Sequence, residues 1–264
     1  MKSAAAQKAQ AIAQHSEQAS AFAARYQRLA VDPYESCFAY SRYRLDALLD
    51  RYLPTPAQGL RLLDVGCGTG NQLVGFRLRG FDVDGVDGSA EMIAFARRNN
   101  PGVNVQQSDV EALPFASASF DVVVCIEVLR YLPRVSRCLS EIARVLRPGG
   151  VCLATAAPVL NLNGYWLVNR VASAVPLPGL VRLRQYFTSS IRLKRELRSA
   201  GFGAVDVHGV YVGPINWIER AAPHKLRTVL RMWDRIDARL ADQSIIREFA
   251  NMFLARAVRD RDDH

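Results

Sequence analysis

The stretch Leu62-Leu63-Asp64-Val65-Gly66-Cys67-Gly68-Thr69-Gly70-Asn71 runs an apolar segment into three alternating glycines and then into a helix. Glycines at such a turn let the backbone approach a ligand and adopt φ > 0, and the free N–H groups of a helix start face an anionic moiety. A lone loop of this kind also serves dinucleotide dehydrogenases, so by itself it points only to a nucleoside-like ligand. Two later acids sharpen the reading. Asp87 ends the next apolar run, where a carboxylate can accept from a ribose diol, and Asp109 closes the run after that. Ligands of open α/β sheets bind beyond the carboxyl ends of the strands. Asp64, Asp87 and Asp109, in phase with three successive strand ends, therefore converge on one crevice.

These residues need a scaffold, and the chain supplies one by alternating short apolar runs with helical periodicity, the pattern of repeated β-α units. Strands are predicted at 61–65, 82–86, 103–107, 121–126 and 151–155, with later ones at 204–212 and 250–258. Helices are predicted near 70–79, 89–99 (Ser89 as N-cap), 134–147 and 189–200, and over the Arg-rich stretch 215–242. Before the sheet, Phe22, Tyr26 and Leu29 begin an apolar stripe at helical spacing, and a second helix fits Tyr40 to Tyr52. Residues 158–187 break the rhythm with an apolar, aromatic segment carrying Pro176 and Pro178. One domain over 1–264 is expected. It comprises a helical N-terminal cap (1–53), a ligand-binding core (60–157), an apolar insertion or lid (158–187) and a C-terminal part of the sheet (188–264).

Half of the 264 residues are apolar and 22% are charged, which excludes a disordered chain. No run approaches the roughly 20 apolar residues that span a bilayer, and no secretory signal is legible, so a cytoplasmic protein is expected. The five cysteines (37, 67, 125, 138, 152) form no C-x-x-C pair and read as reduced, buried thiols. The four histidines (15, 208, 224, 264) are too scattered for a metal site, so none is assigned. The net charge of +9 is uneven: 17 basic against 15 acidic residues up to 150, and 17 against 10 after it. A basic second half fits nucleic acid, an anionic membrane surface or a plain solvated face.

Residues 61–150 resemble the class I S-adenosylmethionine-dependent methyltransferases, especially the branch of ubiquinone/menaquinone-pathway and natural-product enzymes. The matching segments are LLDVGCGTG (62–70), GVDGSAEMIAFAR (85–97), DVEALPFASASFDVVV (109–124), EVLRYLP (127–133) and RVLRPGG (144–150). The resemblance implies a Rossmann-like, seven-stranded, mostly parallel α/β sheet with an antiparallel last strand and helices on both faces. It implies S-adenosyl-L-methionine as cofactor. Asp64, Gly66, Cys67, Gly68 and Gly70 would hold its methionine part. Asp87 would bond the ribose hydroxyls, with Gly88 and Ser89 beside it and Met92 against the adenine. Asp109 would accept from the adenine amino group and Val110 would donate its N–H. Ile126 and Glu127 would line the pocket near the reactive methyl.

The sequence departs from that family where relatives frequently carry Glu-His-Leu after the fourth strand. Here the residues are Arg130-Tyr131-Leu132, and a histidine base at that place is missing. Glu127, Tyr131 and His208 are candidates for a base, but each has an equally good packing role, so no catalytic residue is assigned. The function expected is O- or C-methylation of a small lipophilic acceptor, partly enclosed by residues 160–187. The alternatives are an RNA methyltransferase and a cofactor-binding protein without catalysis. Nucleic acid is disfavoured because no RNA-binding module is legible. Peripheral membrane contact and the oligomeric state stay open.

Overall fold

Leu62, Leu63 and Val65 are fully buried, so strand β1 (Arg61–Val65) sits in a sheet covered on both faces. The computed structural model describes residues 3–27, 32–174 and 185–261. On one side of β1 lie β2 (Asp82–Asp87) and β3 (Asn104–Gln107); on the other lie β4 (Phe120–Cys125) and β5 (Leu146–Pro158), all parallel. A two-residue β6 (Phe187–Thr188) pairs with the end of β5. Strand β8 (Ala250–Arg259) runs antiparallel to β5, and β7 (Phe202–Val212) antiparallel to β8. The order is β3-β2-β1-β4-β5-β8-β7, which is the expected mostly parallel sheet with an antiparallel last strand. The strand order reverses between β1 and β4, and in such sheets the ligand crevice opens at that switch point.

Side chains alternate along each strand. In β4, Phe120, Val123 and Cys125 enter one core layer, Val122 and Val124 the other. The first layer is completed by α6 (Ser136–Val145) and α8 (Ser190–Ser199), through Leu139, Ile142, Leu193 and Leu197. The second is completed by α3 (Cys37–Tyr52), α4 (Asn71–Leu78), α5 (Ala90–Asn99) and α10 (Pro223–Leu240), through Leu45, Leu73, Ile93 and Leu230. All five cysteines are buried and unbonded. No helix among the described residues is long and apolar enough to cross a membrane.

Several boundaries differ from the sequence reading, each for a local reason. The helix expected from Tyr40 begins at Cys37, because Ser36 caps it by accepting from the Ala39 N–H (3.1 Å). The stretch 215–242 divides into α9 (Ile215–Ala221) and α10 at Ala222-Pro223, where proline brings no N–H to continue a helix. The helix expected over 134–147 ends at Val145. Leu146 instead pairs with Phe120, and Arg147 to Gly150 form an irregularity before the pairing resumes at Val122 and Val151. Gly149 takes φ +80° there.

The N-terminal segment is of two kinds. Helices α1 (Ala4–Glu17) and α2 (Ala19–Gln27) lie outside the sheet layers. Helix α3 is core: Tyr40, Leu45 and Leu49 are fully buried. The Tyr40 hydroxyl donates to Asp237 of α10 (2.6 Å), which also accepts the Val212 N–H of β7 (2.7 Å). Burial pushes the Asp237 carboxyl up to about 6. In the 158–187 segment, α7 (Tyr165–Ala174) follows β5. Pro176, Pro178, Arg182, Arg184 and, earlier in the chain, Leu29 lie outside the described residues, as does the side chain of Tyr26.

Candidate active site

A cavity of about 510 Å³ opens at the switch point, within the range of sites that enclose small molecules. Gly66, Cys67, Gly68, Asp87, Gly88, Met92, Asp109, Val110, Ile126 and Glu127 all lie on its wall. Asp64, Gly70 and Ser89 do not. Asp64 is buried behind the loop. Gly70 takes φ +78°, and a Cβ there would meet Asn100 and Ala96 at 2.5 and 3.0 Å, so it lets α4 pack on α5. Ser89 caps α5 through the Met92 N–H (3.1 Å). At Gly68 a Cβ would meet nothing, and the backbone there faces open cavity.

Asp87 organises the loop before any ligand arrives. One oxygen accepts the Gly68 N–H (3.0 Å), the other the Ser89 N–H (2.9 Å). Burial raises its pKa, while those amides and the nearby His15 pull it back. Asp64 lacks such help. Its Oδ2 is buried with no hydrogen-bond partner. Burial pushes its carboxyl up to about 7; Arg42 opposes that shift and Asp87 adds to it.

Asp109 lies on the wall and is bonded from α1. Both its oxygens accept from Lys8 of α1 (2.9 and 2.7 Å), and Lys8 also pairs with Glu111. Partial burial works to raise its pKa, but the hydrogen bonds from Lys8 and the Glu111 N–H outweigh it and hold the group below the usual range. Asp109 thereby fastens α1 over the crevice. Ile12 crosses Gly88, where a methyl group would lie 2.9 Å from its Cδ1. The Ser16 hydroxyl meets that of Ser89 at 2.7 Å.

Glu127 is held in the left-handed region at φ +63°, which non-glycine residues rarely adopt. Its N–H donates to Thr155 Oγ1 (2.6 Å), and its carboxylate accepts from Arg130 (2.6 Å). Tyr131 also lines the cavity, but His208 does not: it bonds Asp242 (2.9 Å) and stacks on Tyr52. That removes His208 from the candidate bases. Sequence reasoning missed Lys8, His15 and Arg42, all on the wall. Arg42 pairs with Asp46 one helical turn on (2.8 Å), a spacing that reads as an ordinary surface pair. In α7, Tyr165 and Val168 face the cavity, whereas Trp166 and Leu167 are exposed, with Arg170 over the Trp166 ring. Among the described residues no group of three or more His, Cys, Asp or Glu side chains is placed to hold a metal.

A protein-family model described as a methyltransferase domain matches residues 63–154. Ubiquinone biosynthesis O-methyltransferase of Sinorhizobium fredii is 34% identical over 169 residues, covering 61% of this chain and 67% of that protein. The chain belongs to the class I S-adenosylmethionine-dependent methyltransferases. The methyltransferase is also similar to malonyl-[acyl-carrier protein] O-methyltransferase of Enterobacter lignolyticus, 39% identical over 115 residues. That match covers 43% of this chain and 45% of the relative, less than half its length. Among solved structures, an S-adenosylmethionine-dependent methyltransferase from Mesorhizobium loti shares the fold with a TM-score of 0.57. It covers 82% of this chain and 98% of its own at 21% identity.

The residues of this methyltransferase fit its cofactor. S-adenosylmethionine carries an amino-acid end with an ammonium and a carboxylate, a ribose diol and a flat base. The open backbone at Gly68 and the remaining acceptor capacity of Asp87 answer the first two, with the orphaned oxygen of Asp64 adding negative charge from behind the loop. The apolar walls of Met92 and Val110 answer the third.

The raised Asp64 pKa gives a testable sign. Between its ordinary range near 4 and about 7, the folded protein binds a proton that the unfolded chain does not. Stability without ligand should therefore fall as pH rises through that window. The ligand's α-ammonium group favours the ionised carboxylate, so S-adenosylhomocysteine should bind more tightly as pH rises from about 5.5 to 8, releasing a proton. Calorimetry in buffers of different ionisation enthalpy checks this. Asp64→Asn should bind more weakly and flatten the pH dependence; an equally steep dependence in that variant would assign the proton elsewhere.

Proposed function

We propose that this methyltransferase moves the methyl group of S-adenosylmethionine to an oxygen of a small lipophilic acceptor of the lipid or quinone class. The carrying observation is the part of the cavity wall built by α3, α7, β7 and β8. There Phe38, Tyr165, Val168, Tyr211 and Met252 present an apolar, aromatic surface continuous with the glycine loop. That the ubiquinone and malonyl relatives are O-methyltransferases supports an oxygen as the methylated atom.

In this reading Asp64 and the Gly66-Cys67-Gly68 turn hold the methionine part, with Arg42 toward its carboxylate. Asp87 takes the ribose diol. Gly88, Met92 and Val110 bound the adenine, and Asp109 closes the site by fastening Lys8. Ile126 and Glu127 lie beside the reacting methyl, while Gly70 and Ser89 support the two loops from behind. Residues 1–27 act as the cap and 158–187 as the acceptor-side lid, both parts of one domain with the sheet. The bound cofactor supplies an electrophilic methyl on a sulfonium with a good leaving group. What the protein adds is alignment and exclusion of water, for which the seated α1 is suited.

The test is label transfer from methyl-labelled S-adenosylmethionine to host lipid and quinol fractions, with host RNA as control. Label in an apolar product, lost in Asp87→Ala, is expected. Label in RNA alone would overturn the reading.

A further inference from the structure

His15 lies on the cavity wall, one helical turn beyond Ala11. Its Nδ1 is 2.7 Å from the Ala11 carbonyl oxygen. A carbonyl only accepts, so this bond places the proton of the neutral ring on Nδ1 and leaves Nε2 as an acceptor. The ring is fixed on two sides. It stacks on Phe22 (5.7 Å between centroids) and meets the Tyr131 ring edge-on (4.7 Å). Tyr131 follows β4 within four residues of Glu127, so the imidazole stands over the strand ends where the reacting atoms belong. Asp87 is near enough to feel its charge, and Glu127, Arg130 and Lys8 share the same wall. Among the described residues lining the cavity, His15 is the only imidazole.

We propose that His15 is the catalytic proton acceptor of this methyltransferase, brought to the site by α1. The proposal rests on the O-methylation reading and narrows it to acceptors that must lose a proton, namely phenolic or enolic hydroxyls. The acceptor O–H gives its proton to Nε2. The oxygen pair forms the new O–C bond as the S–C bond breaks, and the electrons of that bond stay on sulfur as S-adenosylhomocysteine. The imidazolium then returns its proton to solvent. Because the base sits on the helix that Lys8, Ile12 and Ser16 seat over the crevice, the contacts that cover the site also place the base. The sequence concealed this: His15 sits in an Ala/Gln/Ser tract with no motif around it.

The experiment compares two acceptors of different acidity. With 4-octylcatechol, whose hydroxyl keeps its proton at neutral pH, His15→Gln should lower kcat by about 10²–10⁴-fold. With 4-nitrocatechol, already largely ionised, the loss should be about tenfold or less. Imidazole added to His15→Ala should restore part of the turnover on 4-octylcatechol. In both variants S-adenosylhomocysteine should bind within a few-fold of the parent protein. Equal losses on both catechols without imidazole rescue would overturn the proposal and leave His15 as packing. Label passing only to a carboxylic acid such as decanoate would also overturn it, since an ionised oxygen has no proton to give; O-methylation would stand. Label reaching none of the three, with S-adenosylhomocysteine still bound, would overturn both.

Discussion

Asp87→Ala should weaken S-adenosylhomocysteine binding by on the order of 100-fold or more. Two losses combine. The ligand's ribose hydroxyls lose a charged acceptor, which is worth about 1–3 kcal/mol for a hydrogen bond to a charged group. The Gly68 and Ser89 N–H groups lose the oxygens that fix the glycine loop against the start of α5. The second loss strikes the methionine end as well, because Gly68 is where the backbone opens to the cavity. Asp87→Asn separates the two contributions. An amide can still accept from one backbone N–H but presents its own NH₂ to the other, so it should keep part of the loop and lose most of the ribose term. Calorimetry on the three proteins measures this, and unchanged affinity in Asp87→Ala would remove Asp87 from the site. The effect on stability should be smaller than the effect on binding, since Asp87 anchors a loop and no core layer depends on it.

That Asp87 was legible and His15 was not follows from how each is held. Asp87 sits at the end of a strand whose own residues announce it. Val83 and Val86 are buried and the chain turns at Gly88, so strand, acid and loop are read from one short stretch. The same holds for β1 with its glycines and for Ser89, whose capping role needs only the next three residues. His15, Arg42 and Lys8 reach the cavity by tertiary packing alone. Lys8 and Asp109 are 101 positions apart, and nothing near either residue signals the other.

The contacts that the sequence did not show share this cause. Asp109 reads as an acid at a strand end, and the lysine that bonds both its oxygens comes from a tract that reads as a plain helix. His208 was weighed as a base because it is a histidine in a strand. Its strand, β7, reaches the cavity only further on, at Tyr211, while His208 is held by Asp242 and Tyr52. In α7 the sequence sets Trp166 and Leu167 beside Tyr165 and Val168 in one apolar run. Hydropathy could not show that helical phase turns Tyr165 and Val168 inward and leaves the other two exposed.

Removing residues 1–18 should leave a folded methyltransferase that binds its cofactor loosely and turns over hardly at all. Helix α1 contributes little to the sheet layers: Ala11 is its one buried residue, and neither core cluster includes it. Its contacts are with the site: Lys8 on Asp109 and Glu111, Ile12 on Gly88, Ser16 on Ser89 and His15 on Tyr131. The ion pairs are partly exposed, so each is worth about 1 kcal/mol or less, and the thermal midpoint should move by only a few degrees. Affinity for S-adenosylhomocysteine should drop by about 10- to 100-fold, chiefly through faster dissociation from an uncovered crevice. Turnover should fall by on the order of 10³-fold or more, because water enters and the proposed proton acceptor leaves together. A deletion through residue 45 is a different experiment. It takes away Tyr40 and Leu45, strips Asp237 of its Tyr40 partner, and should unfold the sheet. Stopped-flow dissociation, thermal melts and turnover on the 1–18 deletion decide the matter. Retained turnover with fast ligand release would show that α1 covers the site without taking part in the chemistry.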